Sequence, residues 1–357
     1  MLYPLKFGPL YKDYIWGGRN LKLLGKILPD EGNVAESWEV ACHKNGSSII
    51  ANGEFQGIPL PDLIRRLGRK IIGDSLPQKD VDKFPLLVKL IDAQNDLSVQ
   101  VHPDDAYAYK NENGEYGKNE MWYIISAKPG ARLIYDVVPG TTRETFAAAV
   151  AENRAEDCLK TVDVFAGAVI NIPAGLVHAI GGGIVLAEVQ QNSDTTYRVY
   201  DYGRVGRALH IEKALDVIDY NSAGRPDKYA GLEISLGQGC SRRVVIANNY
   251  FCTEIYHNSG KISENASGSK FFIYTFTAGG GSISWKDGEM TVSAGLSLLI
   301  PASMGEYSFS GDFTALKSYI ADLETDIIKP LLNSGRSIQE IKSEIGGLAD
   351  ALKYIVK

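Results

Sequence analysis

A repeated pattern of glycine, proline and alanine constrains the fold of this chain more than any other feature. Residues 167–178 (GAVINIPAGLVH) and 295–306 (GLSLLIPASMGE) keep the first glycine, the Pro-Ala pair and the next polar residue, His178 or Glu306, at the same spacing. Each copy predicts a turn, a buried strand and a second turn. Two copies indicate two related β units, although chance likeness between two turn-strand-turn segments is the alternative. No histidine follows Glu306, so we expect the second unit to lack a metal.

The rest of the chain favours a mainly β protein, because short β-branched and aromatic runs recur between turn signals. Helices are predicted at 60–71, after Thr141 with Thr142 and Glu144 near the start and an alanine-rich body at 146–155, and at 211–218. Small and turn residues cluster at 222–226, which places a boundary there. We therefore predict an N-terminal domain at 1–225, a second domain at 226–322 and a helical tail at 323–357. In the tail, Ser337 and Glu340 fit a capping box and Gly335 breaks a helical hairpin.

Composition excludes several classes of partner. The 357 residues are 45% apolar and 22% charged, as in ordinary soluble proteins, and the net charge of −6 argues against binding nucleic acid or an anionic membrane. No apolar run is long enough to span a membrane and no signal peptide is recognisable, so we expect a cytoplasmic protein. The four cysteines form no C-x-x-C pair, which predicts reduced thiols and no cysteine zinc site.

The stretch 97–105 (LSVQVHPDD) carries the first candidate metal ligands. Read as a strand, it places Ser98, Gln100 and His102 on one face. Two ligand-type side chains two residues apart suit a single metal ion. A solvated polar strand face would give the same alternation, so the spacing alone leaves both interpretations open.

Two further residues extend this set. Glu120 enters an apolar strand beside Met121 and Trp122, where a carboxylate is costly unless it is paired or bound to a cation. His178 follows a proline turn. Imidazole nitrogens with a carboxylate suit zinc, and iron or manganese would accept the same ligands.

Several motifs in this order resemble the type I mannose-6-phosphate isomerase family in its short bacterial form. They are AESWEVACH (35–43), LSVQVHPDD (97–105), GKNEMWYI (117–124), IPAGLVHAI (172–180) and LAEVQQNSDTTYRVYDYGR (186–204). The resemblance covers about residues 3–322 and leaves the tail outside. It implies a pair of cupin jelly rolls and one Zn²⁺ per chain. The ligands that it implies are Gln100, His102, Glu120 and His178.

The resemblance also implies the reaction, which is interconversion of D-mannose 6-phosphate and D-fructose 6-phosphate through an enediol or enediolate. Glu188 becomes the first candidate for proton transfer at carbon and Lys118 the competing one. Arg198 would stabilise negative charge on the substrate, while Lys89 and Ser98 would help to hold the phosphate. The residues alone do not decide which group is the base.

Two other functions stay open at this stage. A non-catalytic metal-containing cupin could bind a sugar or sugar phosphate, and a cupin oxygenase could bind iron, although such sites use more histidines. The expected partner is a phosphorylated hexose. The choice between monomer and homodimer, activity on related sugars and the pathway served are left open by the sequence.

Overall fold

Antiparallel sheets form most of the molecule, in a computed structural model that describes residues 2–222, 225–237 and 239–353. The first large sheet has six strands, and its central strands are buried along their whole length. In spatial order these strands are β11 (Val169–Ile172), β8 (Glu120–Ala127), β13 (Ile184–Gln191), β6 (Leu86–Ala93), β3 (Glu36–Val40) and β2 (Tyr11–Lys12). Burial of both faces explains why β6 and β13 are almost continuously apolar.

A five-stranded sheet packs against the first and completes what we call the first sandwich. Its strands in spatial order are β10 (Leu159–Asp163), β9 (Arg132–Val137), β12 (His178–Ile180), β7 (Val99–Val101) and β14 (Tyr197–Tyr200). Trp122 and Leu186 of the six-stranded sheet meet Leu133 and Ile180 of the five-stranded sheet in a shared core. This core fixes the distance between the two sheets that carry the candidate site.

A nine-stranded sheet, the second sandwich, contains the rest of the β structure. Its main path is β1 (Leu5–Lys6), β21 (Ser297–Ile300), β19 (Phe272–Trp285), β22 (Gly305–Tyr319), β17 (Cys252–Asn258), β16 (Cys240–Ala247) and β15 (Leu232–Gly237). In addition, β18 (Lys261–Ala266) pairs with β22 and β20 (Gly288–Ser293) pairs with β19. A small separate hairpin joins β4 (Cys42–His43) to β5 (Gly46–Ser47).

The two sandwiches share one strand order. The path β21-β19-β22-β17-β16-β15 repeats β11-β8-β13-β6-β3-β2, and the run β20-β19-β22-β18 repeats β10-β9-β12-β7. The repeated pattern of the sequence lies at equivalent places, in β11 and β21, and each copy begins at a left-handed glycine, Gly167 (φ +89°) or Gly295 (φ +79°). The predicted turn-strand-turn units and the mainly β jelly-roll fold are confirmed.

The N-terminal strand crosses between the two halves. Although β1 precedes the first sandwich in sequence, it pairs with β21 and so belongs to the second sheet. Of the predicted boundary at 222–226, residues 223 and 224 lie outside the described residues. The division at 225 stays a prediction, and β1 is an exception to it.

Helices are short and lie between the strands. They are α1 (Leu60–Leu67), α2 (Arg69–Ile72), α3 (Gln78–Asp82), α4 (Asp105–Asn111), α5 (Arg143–Ala151), α6 (Ile211–Val217), α7 (Lys329–Asn333), α8 (Ile338–Glu344) and α9 (Leu348–Leu352), with 3-10 turns at Asn20–Leu24, Gly53–Phe55 and Ala155–Cys158 and a π-helix at Leu323–Ile328. The helix predicted at 60–71 is two helices, because Gly68 (φ +51°) ends the first. The helix predicted after Thr141 is confirmed as α5, which Thr142 caps, and it ends at Ala151, before the predicted end at Ala155. None of the described helices has the length and apolar character that a membrane crossing requires.

The C-terminal tail packs on the second sandwich. The capping box of Ser337 and Glu340 is confirmed, and Gly335 has a left-handed conformation (φ +87°) at the predicted break. Ile341 and Ile345 are buried together with Val244 of β16. The described part of the tail therefore completes the core of the second sandwich.

Candidate active site

Three buried side chains converge between the two sheets of the first sandwich. His102 follows β7, Glu120 begins β8 and His178 begins β12. Their ligand-type atoms all lie within 4.8 Å of one another. His102 Nε2 is 3.2 Å from Glu120 Oε1, and His178 Nε2 is 3.9 Å from Glu120 Oε2. Residues far apart in sequence thus present two nitrogens and a carboxylate to one point.

Gln100 joins this cluster through strand pairing. It lies opposite His178 in the β7–β12 ladder, and its side-chain nitrogen is 3.3 Å from His178 Nε2. His178 Nδ1 is 2.9 Å from the carbonyl oxygen of Leu176, which suits donation of its proton to that oxygen. This contact leaves the Nε2 lone pair directed at the cluster.

The cluster has the chemistry of a divalent-cation site. Both ring nitrogens of His102 and the carboxylate oxygen Oε2 of Glu120 are buried without a hydrogen bond, while Oε1 of Glu120 is paired with Lys118. Such groups are costly to bury unless something else satisfies them. Zinc and related metals accept two imidazoles, a carboxylate and an amide as ligands. The side-chain amide of Gln100 can rotate so that its oxygen, and not its nitrogen, faces the cluster. The residues therefore fit a metal ion.

The protonation states agree with ligand function. Burial, aided by the charge of Lys118, lowers the pKa of His102 to about 3, so its imidazole is neutral. Burial would raise the pKa of Glu120, but the charge of Lys118 and the close contact with His102 outweigh burial and lower it well below its usual value. Lys118 Nζ lies 2.9 Å from Glu120 Oε1. A neutral imidazole and an ionised carboxylate are the forms that bind metals.

Glu188 lies beside the cluster on β13. The ladder places it opposite Lys89 of β6 and Trp122 of β8. Lys89 Nζ is 3.0 Å from Glu188 Oε1, and the Trp122 indole N–H donates to Glu188 Oε2 at 2.9 Å. Burial, with the nearby charge of Glu120, raises the pKa of Glu188 to about 7 against the opposing pull of Lys89. This carboxyl group can therefore exchange a proton near neutral pH.

Lys89 lies between two carboxylates. Besides Glu188, its Nζ is 3.7 Å from Glu36 Oε2, which also accepts from the Trp38 indole at 2.7 Å. Burial would lower the pKa of Lys89, but the charges of Glu188 and Glu36 outweigh burial and raise it. Its positive charge is permanent and already paired, which differs from the free anion anchor expected of it.

Arg198 presents a cation without a carboxylate partner among the described residues. It lies in strand β14. Its Nε donates to Ser98 Oγ at 3.0 Å and its Nη1 to the carbonyl oxygen of Ala208 at 2.8 Å. A second guanidinium, that of Arg207, lies 3.5 Å from the same Ser98 oxygen. Two like charges that converge on one hydroxyl form a site for an anion.

These groups open into a cleft of 290 Å³. The predicted residues that line it are Lys89, Ser98, Gln100, Lys118, Glu188 and Arg198, and the cleft is also lined by Tyr14, Trp16, Glu36, Ile91, Leu97, Ile180, Asp194, Thr196 and Arg207. The other three predicted residues, His102, Glu120 and His178, lie buried next to Gln100 and Lys118. The structure thus brings all nine predicted residues to one site.

Some lining residues were missed by the sequence analysis. Glu36 and Asp194 lie inside motifs that had been recognised, and only their roles were overlooked. Tyr14 and Arg207 lie outside every recognised motif. For Arg207 a signal was available, because it is an arginine that follows Gly206 in a basic turn a few residues after Arg198.

Comparison with known proteins gives a consistent family. Residues 4–125 match the model described as phosphomannose isomerase type I, catalytic domain. The Bacillus subtilis mannose-6-phosphate isomerase ManA is 35% identical over 322 residues, which cover 89% of this chain and 99% of that protein. The Streptococcus mutans mannose-6-phosphate isomerase is 36% identical over 311 residues, 85% of this chain and 94% of that protein.

A solved structure agrees with the sequence relatives. The crystal structure of the mannose 6-phosphate isomerase from Bacillus subtilis superposes with a TM-score of 0.81 at 31% identity, over 89% of this chain and 99% of that one. The resemblance recognised from the motifs is therefore confirmed. This chain belongs to the type I phosphomannose isomerase family and is an isomerase.

Proposed function

We propose that this enzyme interconverts D-mannose 6-phosphate and D-fructose 6-phosphate with one zinc ion per chain. One observation carries the proposal: a buried His-Glu-His cluster, in which both nitrogens of His102 and Oε2 of Glu120 lack a hydrogen bond, adjoins a cleft that also holds a carboxyl group with a pKa of about 7. A binder of sugar phosphates would need the cations of the cleft but no group poised to exchange a proton. The relatives from Bacillus subtilis and Streptococcus mutans are mannose-6-phosphate isomerases, which supports the same substrate.

Gln100, His102, Glu120 and His178 would hold the metal. When bound, the ion would polarise the substrate oxygens at C1 and C2 and so ease formation of the enediolate. The contact of His178 with Leu176 would keep the ring nitrogen Nε2 directed at the ion. Zinc is the metal we favour, because histidine nitrogens with a carboxylate are its usual ligands at catalytic sites.

Glu188 would move the proton between C1 and C2. Its carboxylate is held by the Trp122 indole and by Lys89, so its orientation is fixed before substrate enters. In the ionised form it removes a proton from one carbon, and in the acid form it returns that proton to the other. Lys118, which also lines the cleft, is the competing candidate and would otherwise donate a proton or hydrogen bond to a substrate oxygen.

Arg198 and its neighbours would hold the negative parts of the substrate. Arg198 offers a planar set of donors and no carboxylate competes for them among the described residues. Ser98 holds that guanidinium in place and lies near Arg207. Because Lys89 lies between two carboxylates, we leave it to orient Glu188. We assign the phosphate to Ser98 and Arg207, whose guanidinium shares the single carboxylate of Asp201 with Arg204.

The test is direct conversion. Purified protein, stripped with a chelator and reloaded with zinc, manganese or iron(II), is mixed with mannose 6-phosphate, and fructose 6-phosphate is measured. We expect no conversion after stripping and the highest rate with zinc. Binding of the sugar phosphate without conversion in every metal-loaded form would overturn the proposal in favour of a non-catalytic cupin. The cytoplasmic location stays a prediction. The choice between monomer and homodimer stays open, as it was from the sequence.

A further inference from the structure

The second sandwich has a cleft of its own. It measures 930 Å³ and lies across β18, the end of β19 and the start of β22. By strand order, β18 and β22 correspond to β7 and β12, the strands that carry Gln100 and His178 in the first sandwich. Its lining residues are Ser263, Glu264, Asn265, Ser284, Trp285, Lys286, Met304, Gly305, Glu306, Tyr307 and Ser308. Ligand-type histidine is absent from this set, so the cleft has a different chemistry from the catalytic one.

The aromatic ring of Trp285 is the largest apolar surface in this cleft. A side chain at Gly288, across the hairpin turn, would place its Cβ 2.6 Å from Trp285 Cζ2, so the ring lies directly against the turn backbone. Trp285 also borders a neighbouring hollow of 580 Å³, which it shares with Tyr3 and Asn52. The ring of Trp285 therefore lines both cavities. It can pack against the hairpin turn because Gly288 has no side chain.

The polar groups of the cleft are hydroxyls and an amide over a rigid floor. Ser263 and Asn265 are exposed on one side, and Ser308 lies on the next strand. On the floor, Glu264 accepts hydrogen bonds from Tyr256 at 2.6 Å and from Lys317 at 2.9 Å. The charge of Lys317 is therefore already paired and does not serve as an anion anchor.

The charge balance of this region disfavours anions. In the cleft, the charge of Glu264 is offset by Lys317, and Glu306 is accompanied by Lys286. The neighbouring hollow adds Glu54, Asp287 and Glu289. A phosphorylated or carboxylated ligand would meet negative charge here. In the catalytic cleft it would meet the two adjacent guanidinium groups of Arg198 and Arg207.

We propose that this cleft binds a neutral saccharide, with one sugar ring on Trp285. The C–H face of a hexose is apolar and rests on an aromatic ring, while its hydroxyls bond to hydroxyl, amide and carboxylate groups like those present. The site is separate from the catalytic cleft and independent of the function proposed for it. A single stacked ring with a few hydrogen bonds is expected to bind weakly, with a Kd on the order of 1 mM.

The test uses the full chain with its catalytic cleft saturated by mannose 6-phosphate. Methyl α-mannoside and linear manno-oligosaccharides are titrated, and binding is followed by saturation-transfer NMR. We expect saturable binding that Trp285→Ala weakens by about tenfold or more, while Trp285→Phe keeps most of it. The kcat/KM of the isomerase reaction should be unchanged in both variants.

Because Trp285 also packs against the core, a second variant separates binding from folding. Asn265 is exposed, so Asn265→Arg should fold normally and block the cleft with bulk and charge. Absence of saturable binding by the unmodified chain would overturn the proposal. Equal binding by the Asn265→Arg variant would do the same, and so would preference for a sugar phosphate over the neutral sugar.

Discussion

Each sandwich has an acid-base pair at the same two positions of its sheet, but the acid of one sandwich corresponds to the base of the other. In the first, Glu188 of β13 lies opposite Lys89 of β6. In the second, Lys317 of β22 lies opposite Glu254 of β17, so the acid and the base have exchanged strands. The third member of each set is aromatic, because the neighbouring strand presents Trp122 in one and Tyr274 in the other.

The two interiors differ in how many of their buried polar groups have a partner. In the second sandwich Glu254 bonds to Arg242 and Tyr319, and Lys317 bonds to Glu264. Within this described group, only Glu254 Oε2 is buried without a partner. In the first sandwich both ring nitrogens of His102 and Oε2 of Glu120 are buried without a hydrogen bond. The same framework thus supports a closed polar network in one half and open ligand positions in the other, and chemistry requires the second arrangement.

Removal of a proposed metal ligand should have the largest effect. We expect His102→Ala to lower kcat/KM by about a thousandfold or more, because the metal is lost and the enediolate loses its main stabilisation. Metal content by elemental analysis and activity are both measured. The matched control is His257→Ala in the second sandwich, whose ring contacts Thr314 and should matter little. Full activity in the His102 variant would show that the cluster is structural.

The Glu188→Gln variant tests the carboxyl group that faces the cleft. A general base contributes typically 10²- to 10⁴-fold, so kcat should fall by about that factor with KM and metal content nearly unchanged. The amide keeps the shape and can still accept from Trp122. If solvent-derived deuterium still appears in the sugar at the normal rate, Lys118 is the base instead.

Arg198→Ala should lower kcat by about a hundredfold or more, with a smaller rise in KM, if its contact forms mainly in the transition state. Arg198→Lys should recover only part, because an ammonium cannot reproduce the planar fork. Zinc content should not change in either variant. Near-normal turnover, or loss of metal, would contradict the assigned role.

The pH dependence should follow Glu188. Its pKa is raised to about 7, so the ionised base is depleted below that pH and kcat/KM should fall about tenfold per pH unit on the acid side. Bound metal offsets the charge of Glu120, which moves this limb toward lower pH. The profile is measured from about pH 5 to about pH 9. If the Glu188→Gln variant keeps the same fall in kcat/KM at low pH, that fall is due to the titration of another group.

A change in the second sandwich should leave activity almost intact. Lys317→Met keeps the apolar stem but leaves Glu264 without its cation, which we expect to cost about 3 kcal/mol of folding free energy. Thermal unfolding and kcat/KM measured on one preparation separate the two effects. A large loss of activity with normal stability would mean that the second sandwich contributes to catalysis.

Much of this architecture was predictable because its signals are local. The repeat at 167–178 and 295–306 predicted two related units, and the motifs named residues that the fold brings together. Contacts between residues that are far apart in the sequence had no such local signal. The sequence shows that Lys89 is a lysine in an apolar run, but its partners Glu36 and Glu188 are fixed only when three strands assemble. The contact of Arg207 with Ser98 likewise spans more than a hundred residues, so the basic turn that contains Arg207 gave no indication of its partner.

The pairing of β1 with β21 has a consequence for biosynthesis. Leu5 is fully buried against a strand whose Leu299 is made about 290 residues later, which at ribosomal rates is about 15 to 60 s. During that interval the segment that contains Leu5 has no sheet to join. The N-terminal segment therefore docks after nearly all of the chain has been synthesised. An obstruction at the N-terminus, such as a bulky fused domain, should slow the last step of folding more than the first.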